Sequence, residues 1–316
     1  MKTYDIIVIG SGSGGLNIGV FMHKAGFTVL MIEKDPDNVG GDCLNTGCVP
    51  SKALIHIAKQ VHGGREAQKF GVNLGGTIDW DSVKEYIRSK QDHIREHESV
   101  EYFRSLGMDV VVGEAKLAGE RVVQVDQERF TAKKIVVATG STPRKLDLPG
   151  IDQLEYGVGY LDSDSIWNLE KFPEKLVVIG GGPIGLELGQ AMQRLGSEVT
   201  VIQREDIFLP KEDPEITPIL KAQLESEGMV FKMGSNPVGV LSKDHLKIDT
   251  PEGSETLEFD ALLVAIGREL RVIQGTETAG VELDERGRLK VDPYLRTTNP
   301  DIIVAGDVAG GFQFTH

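Results

Sequence analysis

Short apolar runs, each ended by a glycine or a polar residue, recur along this chain at intervals that a helix can fill. Ile6-Ile7-Val8-Ile9 runs into Gly10, and Val29-Leu30-Met31-Ile32 runs into Glu33. Later, Leu176-Val177-Val178-Ile179 runs into Gly180, and Val199-Thr200-Val201-Ile202 into Gln203. Runs of this length, rich in Val and Ile and bounded by glycine, read as buried strands. Each pair of strands flanks a glycine-rich turn and a helix-length segment. The pattern is therefore strand, turn, helix, strand, and it occurs twice. Gly10, Gly12, Gly15 and Gly26 map onto Gly180, Gly182, Gly185 and Gly196 at a constant offset of 170 residues.

Both turns have the spacing GxGxxG. The first glycine permits the tight bend, the second lets backbone approach a pyrophosphate, and the third lets helix and strand pack closely. The helix N-terminus then offers free N–H groups to the phosphates. One such turn is weak evidence, but two copies, each set between a strand and a helix, are strong evidence for nucleotide binding. The bland alternative is a pair of ligand-free turns in a parallel sheet. Ile135-Val136-Val137-Ala138-Thr139-Gly140 and Leu262-Leu263-Val264-Ala265-Ile266-Gly267 are a fainter echo, each a buried strand ending in glycine late in its half. The expected fold is α/β, with two Rossmann-like nucleotide-binding domains, the second inserted into the first. The boundaries read as 1–149, 150–270 and a return segment at 271–316, with Leu148-Pro149-Gly150 as the crossing turn.

Composition narrows the partners. Glycine is high, 38 of 316 residues, against ~7% in ordinary usage, and it clusters after the strands rather than in low-complexity tracts. A net charge of −14 argues against a nucleic-acid partner. No uncharged apolar stretch reaches 18 residues, so no membrane helix is expected. The strand that starts within the first residues leaves no room for a signal peptide, which predicts a cytoplasmic setting.

The chain has only two cysteines, Cys43 and Cys48, in the run Gly40-Gly41-Asp42-Cys43-Leu44-Asn45-Thr46-Gly47-Cys48-Val49-Pro50-Ser51-Lys52. Thiols this close can form a small ring, and a helix opening at Pro50-Ser51 lowers a nearby thiolate pKa. In the cytoplasm a structural disulfide would be unusual and a catalytic one would not. The pair therefore reads as a disulfide that opens and closes.

The two nucleotide sites carry different preferences. A carboxylate at the end of the second strand binds ribose hydroxyls, and Glu33 stands there in the first repeat. The second repeat has Gln203 followed by Arg204. Losing the carboxylate removes repulsion toward a 2′-phosphate, and Arg204 offers a fork-shaped donor for it, with Lys211 a possible second charge. NADPH is expected there over NADH. The alternative for Arg204 is a loop charge balanced by Glu205 and Asp206.

Taken together, the glycine-rich start with Glu33, GGDCLNTGCVPSK, ATGSTPR at 138–144, GGGPIGLE at 180–187, VAIGR at 264–268 and TTNPDIIVAGDV at 297–308 resemble the class I pyridine nucleotide–disulfide oxidoreductases. That family contains dihydrolipoyl dehydrogenase, mercuric reductase and glutathione reductase. The resemblance covers the whole chain in the family's order. It implies FAD on the first repeat, with Gly10, Gly12 and Gly15 at the pyrophosphate, Glu33 on the adenosine ribose and Asp307 on the ribityl chain. Thr139 and Gly140 belong to the same cofactor motifs. NADP or NAD would dock at Gly180, Gly182, Gly185, Arg204 and Gly267. Cys48 would lie against the flavin as the charge-transfer thiolate, and Cys43 would attack the substrate. Lys52 would stand near the flavin and pair with Glu187. Without the resemblance, Lys52 and Glu187 would read as surface helix charges and Asp307 as a turn aspartate.

The implied reaction passes electrons between a nicotinamide nucleotide, FAD and the Cys43–Cys48 pair. The final partner would be a small-molecule or protein-bound disulfide or dithiol, or a metal ion acceptor; no resident metal is expected. Mercuric-reductase-like and dihydrolipoyl-dehydrogenase-like chemistry stand first and a glutathione-reductase-like enzyme next. A non-catalytic fragment that only binds the nucleotides is the alternative of another class. Two departures matter. Asp42 replaces the family's usual threonine, and a carboxylate beside Cys43 is expected to raise its pKa. The chain also ends at Phe314-Thr315-His316, where family members continue into a C-terminal dimerisation domain carrying a His-Glu pair. It therefore reads as truncated, expected as a monomer where the longer form is a homodimer. His316 takes no role.

Overall fold

The structure, a computed structural model, describes residues 1–72 and 75–311; His316 lies outside them. The apolar runs form parallel strands, as their two-sided burial requires. Lys2–Ile9 lies between Val29–Glu33 and Glu128–Val137, with Ile7 opposite both Leu30 and Ile135. Asp109–Val112 extends the sheet beyond Val29–Glu33, and Ile302–Val304 pairs in parallel with the end of Glu128–Val137. The first half of that ten-residue strand does something different. It closes an antiparallel meander with Val122–Val125 and Ala115–Gly119.

The second half of the chain repeats the plan. Its parallel sheet runs Val230–Lys232, Glu198–Ile202, Lys175–Ile179, Ala261–Val264, Tyr160–Leu161. An antiparallel meander, Asn236–Ser242, His245–Thr250 and Gly253–Glu258, precedes the strand Ala261–Val264. In the first copy the last meander strand continues into the parallel sheet. In the second copy the two are separate strands. The duplication thus extends beyond the glycine-rich turns into a shared sheet-plus-meander design.

Two compact units result. Of the described residues, one comprises 1–49, 90–142 and 268–311, and the other 50–72, 75–89 and 143–267. The sequence reading put 50–89 with the first nucleotide domain; by its contacts the segment belongs with the second. The reason is apolar packing. Ala53, Leu54 and Ala58, with Trp80, Val83 and Ile87, join the core built on Leu176, Val178, Leu188 and Met192. Trp80 also donates its indole N–H to the Leu169 carbonyl at 2.7 Å. Among the described residues, no helix is long and apolar enough to cross a membrane.

Candidate functional site

The first glycine-rich turn links Lys2–Ile9 to the helix Ser13–Lys24. Gly10 has φ +100°, and a Cβ there would lie 2.3 Å from the Ala138 carbonyl oxygen. A Cβ at Gly15 would lie 2.0 Å from the Gly10 carbonyl oxygen. Those two glycines are demanded by the fold itself. Gly12 is not: its backbone is extended, and the nearest atom to an added Cβ is 3.8 Å away. The second repeat behaves in the same way. A Cβ at Gly180 would lie 2.4 Å from the Ala265 carbonyl oxygen, one at Gly185 2.3 Å from that of Gly180, and one at Gly182 near nothing. In both copies the turn therefore packs on the alanine that follows the strand and opens Ala-x-Gly. The middle glycine has room for a Cβ, which would touch only the Gly41 Cα in the first copy and nothing in the second.

Glu33 and Gln203 also take equivalent places. Glu33 is buried, and its Oε2 accepts from the Ser11 backbone N–H at 2.8 Å and the Ser11 hydroxyl at 2.6 Å. Its Oε1 accepts from the Lys34 N–H at 2.8 Å. Gln203 Oε1 accepts from the Gly181 N–H at 2.8 Å, and its amide donates to Glu205 at 2.5 Å. Each side chain braces its own turn. Arg204 is exposed and forks onto Glu205 Oε1 at 3.1 and 2.7 Å, the balanced arrangement weighed above.

The cysteine run forms the short helix Gly41–Asn45 and then the start of Cys48–Ala67. Pro50 falls in the first turn of the longer helix, where no intrahelical donor is lost. Gly41 has φ +57°, and a Cβ there would sit 2.6 Å from the Gly12 Cα. The double glycine thus lets the short helix lie directly on the nucleotide turn. Gln91, which is buried, pins the far end by donating to the carbonyls of Leu44 and Asn45 at 3.0 and 2.9 Å. Arg95 adds a 2.9 Å bond to Asn45 Oδ1.

Cys43 and Cys48 are both thiols and both partly exposed. Burial pushes the Cys43 thiol up to about 11, assisted by its hydrogen bond to Cys48 and the neighbouring Cys48 charge. The Ser13 hydroxyl pulls the other way. The lowering expected from an opening helix is thus not found at Cys43. Nor does Asp42 cause the rise, as the sequence suggested. Its carboxylate turns to Arg268, whose guanidinium is largely buried.

Arg268 is the residue that sequence reasoning missed, although it closes the VAIGR motif. Its Nε donates to the Ser141 hydroxyl at 2.6 Å and its other arm reaches the Ser141 carbonyl at 3.1 Å. Ser141 in turn donates to Asp307 Oδ2 at 2.6 Å. The signal was available: a carboxylate where the family has threonine needs a cation nearby if it is buried.

A cleft of about 570 Å³ in the first unit collects most of these groups. Gly10, Gly12, Glu33, Asp42, Cys43 and Asp307 line it. Thr139 and Gly140 line it too, the Thr139 hydroxyl donating to the Arg271 carbonyl and the Gly140 carbonyl accepting from the Arg271 N–H at 2.9 Å. Gly15 stays behind the turn, as its packing requires. In the second unit Lys52 Nζ meets Glu187 Oε2 at 2.8 Å, both side chains about half exposed. Gly267 has φ +108° with open space where a Cβ would be. Among the described residues, no cluster of three or more His, Cys, Asp or Glu is placed to hold a metal ion.

A family profile described as pyridine nucleotide-disulphide oxidoreductase matches residues 4–316. The chain belongs to this family. It is similar to the dihydrolipoyl dehydrogenase of Thermus scotoductus, with 37% identity over 98% of this chain and 67% of that protein. It is also similar to the mercuric reductase of Bacillus cereus, with 34% identity over 99% of this chain and 49% of that protein. Among solved structures, the Cu(II) complex of the HOCl-induced flavoprotein disulfide reductase RclA from Escherichia coli superposes with a TM-score of 0.85 at 29% identity. That match covers all of this chain and 68% of RclA. The chain thus spans about half to two thirds of the length of these curated relatives. Membership makes the chain part of a family of enzymes with a two-domain Rossmann-like fold that work with a flavin and a pyridine nucleotide.

Proposed function

We propose that this chain carries the electron-transfer half of a flavin-dependent disulfide oxidoreductase, moving electrons between NADPH and the Cys43–Cys48 pair. The observation that carries the reading is that Cys43 lies on the wall of the same cleft as Gly12, Glu33 and Asp307. A glycine-rich turn of the dinucleotide-binding kind and one thiol of the pair share one cavity, while Cys48, which the resemblance sets against the flavin, is not among its lining residues.

The residues suit FAD. Gly12 leaves room for a pyrophosphate, and Gly10 and Gly15 hold the turn behind it. Glu33 offers a buried carboxylate at the ribose position, and Asp307, fixed by Ser141, is the candidate for the ribityl hydroxyls. Bound FAD would supply a two-electron relay between the nicotinamide and the cysteines. The protein would hold Cys43 and Cys48 within reach of one another and set when Cys43 loses its proton. Lys52 lies one helical turn beyond Cys48 along the same helix and pairs with Glu187.

In the acceptor step, a Cys43 thiolate attacks an acceptor disulfide and expels one thiolate. Cys48 then attacks the mixed disulfide, expels the second thiolate and leaves the Cys43–Cys48 disulfide. The acceptor gains two electrons and the pair loses two. A metal ion is the second acceptor class, suggested by the mercuric reductases and the copper complex of RclA. The cytoplasm, where thiols are kept reduced, suits such a pair.

NADPH rather than NADH is favoured because Gln203 replaces a ribose-binding carboxylate and Arg204 is exposed. A 2′-phosphate would compete with Glu205 for that guanidinium. Arg204→Ala should raise the NADPH Michaelis constant about tenfold and leave that for NADH within about twofold. Equal effects on both would refute the preference. For the whole reading, thiols are counted after anaerobic NADPH addition to oxidised, FAD-loaded protein. Two new thiols per flavin are expected, and none in Cys43→Ser. Flavin reduction with no new thiols would overturn it.

A further inference from the structure

Two of the acidic side chains lining the cleft, Asp42 and Asp307, converge on Arg268, directly or through Ser141. Arg268 contacts Asp42 with one arm, and its Nε lies 3.8 Å from Asp307 Oδ2 while donating to the Ser141 hydroxyl. Its side chain is only 9% exposed, and that of Asp42 is 21% exposed. Glu33 satisfies itself on the Ser11 and Lys34 backbone, so it makes no demand on this cation. Arg271, the other cationic side chain at this end of the cleft, acts on Asp42 without a direct bond.

FAD is an anion, and an uncompensated carboxylate on its cavity wall would oppose it. We infer that Arg268 is a charge-cancelling and positioning residue of the cofactor cleft, neutralising Asp42 and holding Asp307 through Ser141 so that the cleft accepts an anionic dinucleotide. This rests on the proposal that the cleft takes FAD. Burial outweighs the cations and leaves the Asp42 carboxyl above the usual carboxylate range, so the inference stands on the geometry, with Arg268 the largest influence opposing that rise. Arg271 opposes it next, and Asp307 adds to it. Without the guanidinium, two carboxylates that line one cleft and repel one another would be left uncompensated, an arrangement costly in a desolvated setting.

The pair predicts a pattern that a purely structural arginine would not give. FAD is titrated into flavin-stripped protein and binding is read from quenching of flavin fluorescence. Arg268→Gln should weaken binding about tenfold or more, with the loss shrinking as salt is raised. Adding Asp42→Asn in the same chain should restore affinity to within about threefold of wild type. Asp42→Asn alone should bind at least as tightly as wild type. That single variant decides the matter if Arg268→Gln does not fold: a loss beyond threefold would overturn the inference. So would Arg268→Gln protein that binds normally, or a double variant no better than the single. A wild-type chain that takes up no FAD would overturn the cofactor reading itself and this inference with it.

Discussion

The middle glycine of each nucleotide turn separates function from folding. Gly10 stands at φ +100°, and a Cβ there would be 2.3 Å from the Ala138 carbonyl oxygen. Backbone strain of that kind costs ~1–3 kcal/mol, and the clash is with backbone that cannot rotate away. Gly10→Ala should therefore lower the stability of the flavin-stripped protein by at least about 3 kcal/mol. Gly12 has φ −73° and ψ −177°, and the nearest atom to a Cβ would be 3.8 Å off. Alanine is a poorer N-cap than glycine, but it also narrows the unfolded ensemble. These terms oppose one another, so Gly12→Ala should change stability by less than about 1 kcal/mol. Yet its methyl would occupy the space that a pyrophosphate needs, and FAD affinity should fall about 100-fold. Urea unfolding of the flavin-stripped variants and FAD titration separate the two effects. The reasoning is refuted if Gly12→Ala unfolds as early as Gly10→Ala, or binds FAD like wild type. Gly180 and Gly182 form the same contrast in the second unit, with a pyridine nucleotide as the ligand.

In flavin-free reduced protein, alkylation of Cys43 should rise roughly tenfold per pH unit and level off near pH 11, since only the thiolate reacts. A plateau below pH 8 would refute the burial argument. Stability at low pH should depend on Glu227. Burial of its carboxyl opposes ionisation, but Arg194 at 2.7 Å, with Gln223 and Gln190, holds its pKa down to about 2. A folded value below the ordinary one stabilises above about pH 4.5, and that stabilisation is lost as pH falls toward 2. The amount is on the order of 3 kcal/mol. The stability gap between wild type and Glu227→Gln should therefore narrow between pH 5 and pH 3; a constant gap would contradict this.

The glycine turns and cysteine run were legible because their constraints are local. Gly10, Gly15, Gly180 and Gly185 are fixed by atoms a few residues away or on the next strand, and such demands leave spacings in the sequence. The meanders were not legible as a repeat. Their one-sided burial asks only for alternation, which many sequences satisfy. Residues 50–89 were assigned to the first domain by continuity, yet Leu54 and Trp80 pack with strands more than 80 residues away. Arg268 lies 226 residues from Asp42. Only the unusual acid at position 42 hinted that a cation must approach it.

The most direct test of the central claim is the visible spectrum of FAD-loaded protein during anaerobic NADPH titration, with Cys48→Ser alongside. The account predicts that the wild-type protein takes two electron equivalents into the cysteine pair and develops a long-wavelength thiolate–flavin band that Cys48→Ser lacks. Identical spectra for the two proteins, or a flavin that NADPH leaves oxidised, would contradict it.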